Sequence, residues 1–136
     1  MWVAFKKKRS TFLELIVSIF TFSKYVHCEL VTKKLNNRFF GYSSEPFVGV
    51  RSSWFFNLEE WDFVEIEDVK NLNDFYEKTK NSKYDYLGAI GLILGNKDNP
   101  KKYFCSEWIA ILLNLKNPSK ISPKKLYKIL KEKYDK

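Results

Sequence analysis

The feature that most constrains the fold is the change from polar to apolar sequence near residue 105. Residues 101–113 read Lys-Lys-Tyr-Phe-Cys-Ser-Glu-Trp-Ile-Ala-Ile-Leu-Leu, and this run predicts a helix from about Cys105 to Leu115. Cys105 would then stand at or near a helix N-terminus. Unpaired backbone N–H groups and the positive end of the helix dipole favour a thiolate there and lower the thiol pKa.

The only histidine of the chain lies far upstream, in a segment with the alternation of a β-strand. From Lys24 to Thr32, the period of two predicts that His27 and Glu29 share one face, while Cys28 lies on the other, buried and inert. Taken singly, Cys105 is most typical of a packed core residue, and so is a histidine in an apolar strand. Together, a thiol at a helix start and a histidine with a carboxylate on its own face are the parts of a thiol hydrolase.

Further strands and then helices are predicted along the rest of the chain. Strands are predicted at Arg38 to Tyr42, Phe47 to Arg51 and Trp61 to Ile66. Helices are predicted from Thr11 to Phe22, Val69 to Lys80, Tyr86 to Leu94 and Pro123 onward, with N-caps at Ser10, Asp68, Asp85 and Ser122. The order of a helix, several strands and then helices predicts one undivided α+β domain over residues 1–136, with a small antiparallel sheet.

The charge of the chain bears on its partners. The formal net charge is +8, and residues 1–9 and 116–136 are strongly basic, whereas residues 59–77 are acidic. Basic ends can attract an anionic polymer or membrane surface, so a peripheral contact of this kind is one expected partner. No nucleic-acid readout motif accompanies the charge, so no specific nucleic-acid binding is expected.

Cysteine content and the N-terminal sequence bear on the compartment. Two cysteines and one histidine at irregular spacing predict neither a disulfide framework nor a metal site, so we expect no metal, no cofactor and a reducing intracellular compartment. Basic residues before the apolar run from Thr11 to Phe22 imitate a signal peptide. Glu14 interrupts this run, no small-residue cleavage site follows, and the run is too short to span a bilayer. A packed helix is therefore favoured over a signal or anchor.

Three short motifs, taken in order, carry a resemblance to a known superfamily. They are His27-x-Glu29, Tyr84-Asp85-x-x-Gly88 and Phe104-Cys105-Ser106-Glu107. Their order over residues 10–115 resembles the circularly permuted, YiiX-type branch of the NlpC/P60 papain-like superfamily, in which the histidine strand precedes the cysteine helix. The resemblance implies a papain-like core with the Cys105 helix packed on a small antiparallel sheet.

The resemblance also implies a chemistry. Cys105 would be the nucleophile and His27 the general base and acid of a cofactor-free hydrolase. Members of the superfamily cleave peptides or act on acyl groups of lipids, so a peptide, an amide or an acyl-lipid ester is the expected substrate, attacked through a thioester on Cys105. Glu29 is the favoured third group by the face argument, and the stretch Tyr42 to Glu45 is the alternative, because many members take this residue from the neighbouring strand.

Several further residues are candidates with more than one interpretation. The backbone N–H of Cys105 is the expected oxyanion donor, and Tyr25, Tyr84 or Tyr103 is a possible second donor, although each tyrosine is more typical of packing. Glu107 is expected to balance the helix dipole, with a substrate contact as its alternative.

Two other classes of function remain open at the level of sequence. A non-catalytic structural or interaction protein on the same fold would keep the residues without using the chemistry. A lipid-binding or membrane-surface module would use the amphipathic first helix and the basic ends.

Overall fold

The computed structural model describes residues 1–7, 23–89 and 101–135. The predicted helix from Thr11 to Phe22 lies outside these residues, and so does the later part of the predicted helix from Tyr86 to Leu94. The fold is α+β, as predicted. Within the described residues, the sheet has five antiparallel strands in the order β4-β3-β2-β1-β5. They are β1 (Trp2–Lys6), β2 (His27–Lys34), β3 (Arg38–Glu45), β4 (Gly49–Phe56) and β5 (Trp61–Glu65).

The strand β1 is absent from the sequence prediction, which placed a helix first. This part of the prediction is wrong, because the first described element is a strand that pairs with both β2 and β5. Val3 and Phe5 pack on one face of the sheet, and Ala4 packs on the other. An interior strand that is buried on both faces has a short apolar run in its sequence instead of an apolar–polar alternation. In this chain the run is short and leads directly into three lysines, so it gives no clear strand signal.

Three helices have described bounds: α1 (Leu72–Thr79), α2 (Cys105–Leu112) and α3 (Pro123–Tyr134). The predicted cap of α3 is confirmed, because Ser122 Oγ accepts a hydrogen bond of 3.2 Å from Lys125 N. The predicted cap at Asp68 is wrong. Asn71 stands at the N-cap of α1, and Asp68 Oδ1 instead lies 2.9 Å from the terminal amino group of Met1.

Asp85 caps the next helical segment, as predicted. Residues 86–89 are helical, and Asp85 Oδ1 accepts a hydrogen bond of 2.9 Å from Gly88 N. A Cβ on Gly88 would stand 2.3 Å from Asp85 Oδ2, so the absence of a side chain at residue 88 makes room for this cap.

The helices α2 and α3 cover one face of the sheet. The principal core joins side chains of β1 and β2 to those of the two helices: Val3, Phe5, Cys28, Leu30, Trp108, Ile109, Leu126 and Leu130. The opposite face carries a smaller cluster of Ala4, Val31, Phe39 and Trp61. Because α2 packs across β2 and β3, its first turn meets the start of β2, where His27 lies. Across the described parts of the chain, no helix has the length and apolarity to cross a membrane.

Candidate active site

Cys105 is the first residue of α2. Phe104, at the N-cap, is extended (φ −98°, ψ 167°), and the first helical hydrogen bond runs from Trp108 N to Phe104 O at 3.0 Å. The backbone N–H of Cys105 therefore has no acceptor within the helix. Glu107 Oε2 accepts a hydrogen bond of 3.3 Å from Phe104 N and fixes this first turn. The thiol thus stands at a helix N-terminus, as the sequence predicts.

His27 and Glu29 share a face of β2, also as predicted. His27 Nε2 lies 2.5 Å from Glu29 Oε1, and the two side chains are almost fully buried. Alternation along the strand points both side chains the same way, so the imidazole and carboxylate meet without any turn between them. Since Nε2 is engaged by Glu29, Nδ1 is the ring nitrogen left for the sulfur of Cys105.

The electrostatics of Cys105 and His27 favour a charged pair. A hydrogen bond from the Cys28 thiol, together with the neighbouring imidazolium of His27, holds the pKa of Cys105 well below its usual value against the effect of burial. Burial alone would lower the pKa of His27, but the charges of Cys105 and Glu29 outweigh it and raise this pKa to about 10. At neutral pH both effects favour a thiolate beside an imidazolium.

Arg51 is a member of this cluster that sequence reasoning missed. Its guanidinium donates two hydrogen bonds to Glu29, from Nη1 to Oε2 at 2.8 Å and from Nη2 to Oε1 at 2.5 Å. Its Nε donates a third hydrogen bond, of 2.8 Å, to Glu45 Oε2. Burial would raise the pKa of Glu29, but Arg51 and His27 lower it, so the carboxylate stays charged. Arg51 comes from β4, two strands away from β2, and no local spacing in the sequence indicates that register.

The cluster alternates in charge from one residue to the next. Arg51, Glu29, His27 and Cys105 form a chain of positive, negative, positive and negative groups when the thiolate is present, and their sum is zero. A buried charge is tolerated when it is paired and hydrogen-bonded. Gly41 of β3 makes room for this chain, because a Cβ there would lie 3.0 Å from both Cβ and Oε2 of Glu29.

Cys28 lies on the face opposite His27, and this is the face that α2 covers. Its thiol therefore meets Cys105 instead of being remote from the site. Burial and the adjacent sulfur of Cys105 raise the pKa of Cys28 well above its usual value. Cys28 thus remains a neutral thiol that donates to the thiolate of Cys105. The alternation of β2 places Cys28 correctly, but only the packing of α2 reveals the contact.

The predicted tyrosines occupy different places. Tyr84 is buried next to Cys105, and burial together with the nearby charge of Cys105 raises its pKa well above the usual value. Tyr103 pairs with Tyr84 through the backbone, and its carbonyl accepts a hydrogen bond from Ser44 Oγ at 2.6 Å. Tyr25 donates its hydroxyl to Asp62 at 2.7 Å, so it is committed elsewhere.

The alternative stretch from Tyr42 to Glu45 makes other contacts. Ser44 reaches the carbonyl of Tyr103, Glu45 accepts from Arg51, and the ring of Tyr42 packs against Tyr76. The carboxylate that touches His27 is that of Glu29. Glu107, the remaining candidate, is buried and binds the backbone at the N-cap of α2.

Access to the site is narrow. The exposed fraction is 4% for Cys105 and 7% for His27. A surface depression with a volume of about 430 Å³ lies at the other end of α2 and is lined by Glu67–Asn71, Ile111–Asn114 and Tyr134. Within residues 1–7, 23–89 and 101–135, no group of three or more His, Cys, Asp or Glu side chains is arranged to hold a metal ion.

Comparison with protein-family models gives no match to this chain, and comparison with curated protein sequences gives none. A function for this chain therefore has to be inferred from the geometry of the site. This geometry defines an α+β protein in which a helix-terminal cysteine, a histidine and a carboxylate meet at the start of β2.

Proposed function

We propose that the protein is a cysteine hydrolase that transfers an acyl group to Cys105 and then to water. The observation that carries this proposal is the chain of contacts from Cys105 through His27 to Glu29 at the N-terminus of α2. A nucleophile, a base and a group that orients the base are what acyl transfer through sulfur requires. A relationship to the circularly permuted NlpC/P60 branch, which the three motifs resemble, is part of what we propose.

In the proposed reaction, the thiolate of Cys105 attacks the carbonyl carbon of an amide or ester and forms a carbon–sulfur bond. The oxyanion accepts hydrogen bonds from the backbone N–H of Cys105 and from the hydroxyl of Tyr84. His27 gives its proton to the leaving amine or alcohol as the bond to that group breaks. Water then loses a proton to His27 and attacks the thioester, which releases the acid and restores the thiolate.

Glu29 and Arg51 act on this reaction through His27. Glu29 holds the imidazole by Nε2 and stabilises its protonated form, while Arg51 keeps Glu29 ionised and fixes its direction. Both are positioning residues, because neither touches the reacting carbonyl. Amides, peptides and acyl-lipid esters all fit the chemistry at Cys105.

A non-catalytic role for the same fold is favoured by one observation, the 4% exposure of Cys105. A buried thiol that only packs and hydrogen-bonds would be a structural residue. The two functions differ in the reactivity of the sulfur, because only the hydrolase needs a small electrophile to reach it.

The test is alkylation of Cys105 by iodoacetamide, followed by mass spectrometry that separates Cys105 from Cys28. We expect Cys105 to react faster than free glutathione at pH 7, and we expect His27→Ala and Glu29→Gln to slow the reaction. Glu45→Gln is the matched control, because Glu45 binds Arg51 as Glu29 does but does not touch His27. Its rate should stay within about twofold of the unaltered protein.

Turnover of short peptide amides and acyl esters completes the test. Loss of turnover in Cys105→Ser and His27→Ala, while circular dichroism shows that both variants remain folded at the assay temperature, is the result expected of the hydrolase. Alkylation no faster than that of glutathione and indifferent to His27→Ala would overturn the proposal in favour of the structural role.

A further inference from the structure

The most exposed large apolar side chains among the described residues gather near Tyr84. Phe47 and Val48, in the turn between β3 and β4, are 92% and 61% exposed, and Leu87 is 76% exposed. Tyr86 joins the two segments, because its hydroxyl accepts a hydrogen bond of 2.6 Å from Phe47 N and its ring lies 5.9 Å from that of Phe47. We call Phe47, Val48, Tyr86 and Leu87 the apolar tip.

The backbone of the tip makes Phe47 an unexpected residue at its position. Val48 N closes the turn onto Glu45 O at 3.2 Å, Pro46 precedes Phe47, and Phe47 has φ 67°. A turn with proline second and a positive φ third favours glycine or asparagine at the third position. Phenylalanine there gains nothing from the backbone, and at 92% exposure it gains little from packing within the chain. Contact with something outside the chain would account for it.

The charge around the tip is positive. A Cβ on Gly49 would lie 3.3 Å from the Cα of Lys83, so this exposed lysine adjoins the turn. Lys102 is the neighbour of Tyr103, whose backbone N–H binds Lys83 O at 3.2 Å. The acids of the same segments are withdrawn from the surface, because Asp85 and Glu107 are buried. The side chain of Glu45, before the turn, pairs with Arg51 and is 44% exposed, so one carboxylate is set against the two lysines. The tip therefore combines apolar side chains with an excess of positive charge.

The tip lies close to the sulfur of Cys105. The rings of Tyr86 and Tyr84 are 5.0 Å apart, and Tyr84 is next to Cys105. A surface that bound the tip would therefore meet the molecule at the rim of the candidate active site.

We propose that the apolar tip inserts into an anionic phospholipid bilayer and holds the Cys105 end of the protein against it. Phe47, Val48 and Leu87 enter the boundary between headgroups and acyl chains, while Lys83 and Lys102 lie against anionic headgroups. Exposed aromatic and aliphatic side chains beside two lysines suit such an interface, because the burial of apolar surface and the attraction to anionic headgroups act together. The proposal goes beyond the hydrolase and does not depend on the chemistry of Cys105.

Cosedimentation of the Cys105→Ala protein with vesicles tests the insertion without any turnover. Vesicles of phosphatidylcholine alone are compared with vesicles of equal parts phosphatidylcholine and phosphatidylserine, at low and high salt. We expect binding to the anionic vesicles, weakened by salt, and a drop of about tenfold in the partition coefficient for Phe47→Asn and for Leu87→Asn. Lys83→Glu should weaken binding to the anionic vesicles only.

Phe56→Asn is the matched control, because Phe56 is another exposed phenylalanine, at 56%, but lies at the opposite end of β4 from the turn. Its partition coefficient should match that of the parent within about twofold. Asparagine tolerates the positive φ of Phe47, so equal thermal unfolding of parent and variant is expected and separates lost binding from lost folding.

Three results would overturn the proposal. They are the absence of binding to anionic vesicles, an equal loss of binding in Phe56→Asn, and a change in the oligomeric state of the protein in solution when Phe47 is replaced by Asn. The last result would make the tip an interface between two copies of this chain.

Discussion

At the scale of single residues, the buried charges of the site depend on one another. Glu29 has no exposed surface, and its charge is balanced by Arg51 on one side and by His27 on the other. Removing one member of such a cluster leaves its neighbour as an uncompensated buried charge. The cost of that change exceeds the net worth of the pair itself.

Arg51→Met should therefore destabilise the protein strongly. We expect the free energy of unfolding to fall by about 3 kcal/mol, because Glu29 loses both hydrogen bonds from the guanidinium. Urea denaturation measures the change. Arg38→Met is the control, since Arg38 is exposed and lies over the ring of Trp54, and it should cost less than about 1 kcal/mol. An equal effect of the two substitutions would contradict the proposed balance of charges around Glu29.

Cys28→Ala should shift the pH dependence of Cys105 alkylation. In the unaltered protein, the rate should level off below the ordinary thiol pKa of about 8.5, because the Cys28 hydrogen bond and the His27 charge favour the thiolate. The thiolate–imidazolium pair should persist until His27 loses its proton near pH 10. Without the Cys28 donor, the midpoint should move to higher pH, and an unmoved midpoint would show that Cys28 only fills space.

The residues of the site were predictable to different degrees. His27 and Glu29 follow from the period of a strand, and Cys105 follows from the change of composition at a helix start. Arg51 and the contact of Cys28 do not follow, because they depend on the pairing of β3 with β4 and on which face α2 covers. Those are long-range facts that no window of sequence contains.

At the scale of elements, the pairing of β2 with β3 shapes the space for the Glu29 side chain. Gly41 lies opposite Val31 in this pairing, and a side chain at residue 41 would press on Glu29. The site therefore depends on β3, even though Gly41 of this strand contributes no side chain to it.

Gly41→Ala should displace the Glu29 carboxylate by a few tenths of an ångström. We expect slower alkylation of Cys105 and a loss of about 1 to 3 kcal/mol in the free energy of unfolding, typical of overpacking. Ser53→Ala is the control, because Ser53 pairs with Gly41 in the neighbouring strand β4. Unchanged alkylation in Gly41→Ala would mean that Glu29 does not set the reactivity of the sulfur.

Local sequence signals predicted one helix cap correctly and another wrongly. Ser122 and Pro123 give a start signal that depends only on neighbouring residues, and the structure confirms it. Asp68 has the same local signature of a cap, but the amino group of Met1, 67 residues away in sequence, binds its carboxylate. A charge from a distant part of the chain thus overrode a local preference.

At the scale of the whole molecule, paired carboxylates tie its stability to pH. Burial would raise the pKa of Asp62, but hydrogen bonds from Tyr25, Lys24 and Lys7 outweigh it and lower the pKa to about 2. The pKa of Glu29 is lowered as well. A carboxyl group whose folded pKa is depressed stabilises the protein above its unfolded pKa, and this contribution is lost as the pH falls through the folded value.

The free energy of unfolding should therefore decline as the pH falls from about 4.5 toward 2. Thermal unfolding across this range measures the decline. Asp62→Asn should lower stability at neutral pH and make the decline shallower, because one of the depressed carboxyl groups is gone. A slope identical to that of the unaltered protein would contradict the role of Asp62.

The position of β1 has a practical consequence for anyone who shortens this chain. Residues 2–6 form an inner strand between β2 and β5. Removal of the first seven residues, as one would remove a basic leader, would divide the sheet. It would leave β5 without the neighbouring strand that it pairs with. The expected product is an aggregating polypeptide rather than a slightly smaller protein, and its solubility on expression would reveal this directly.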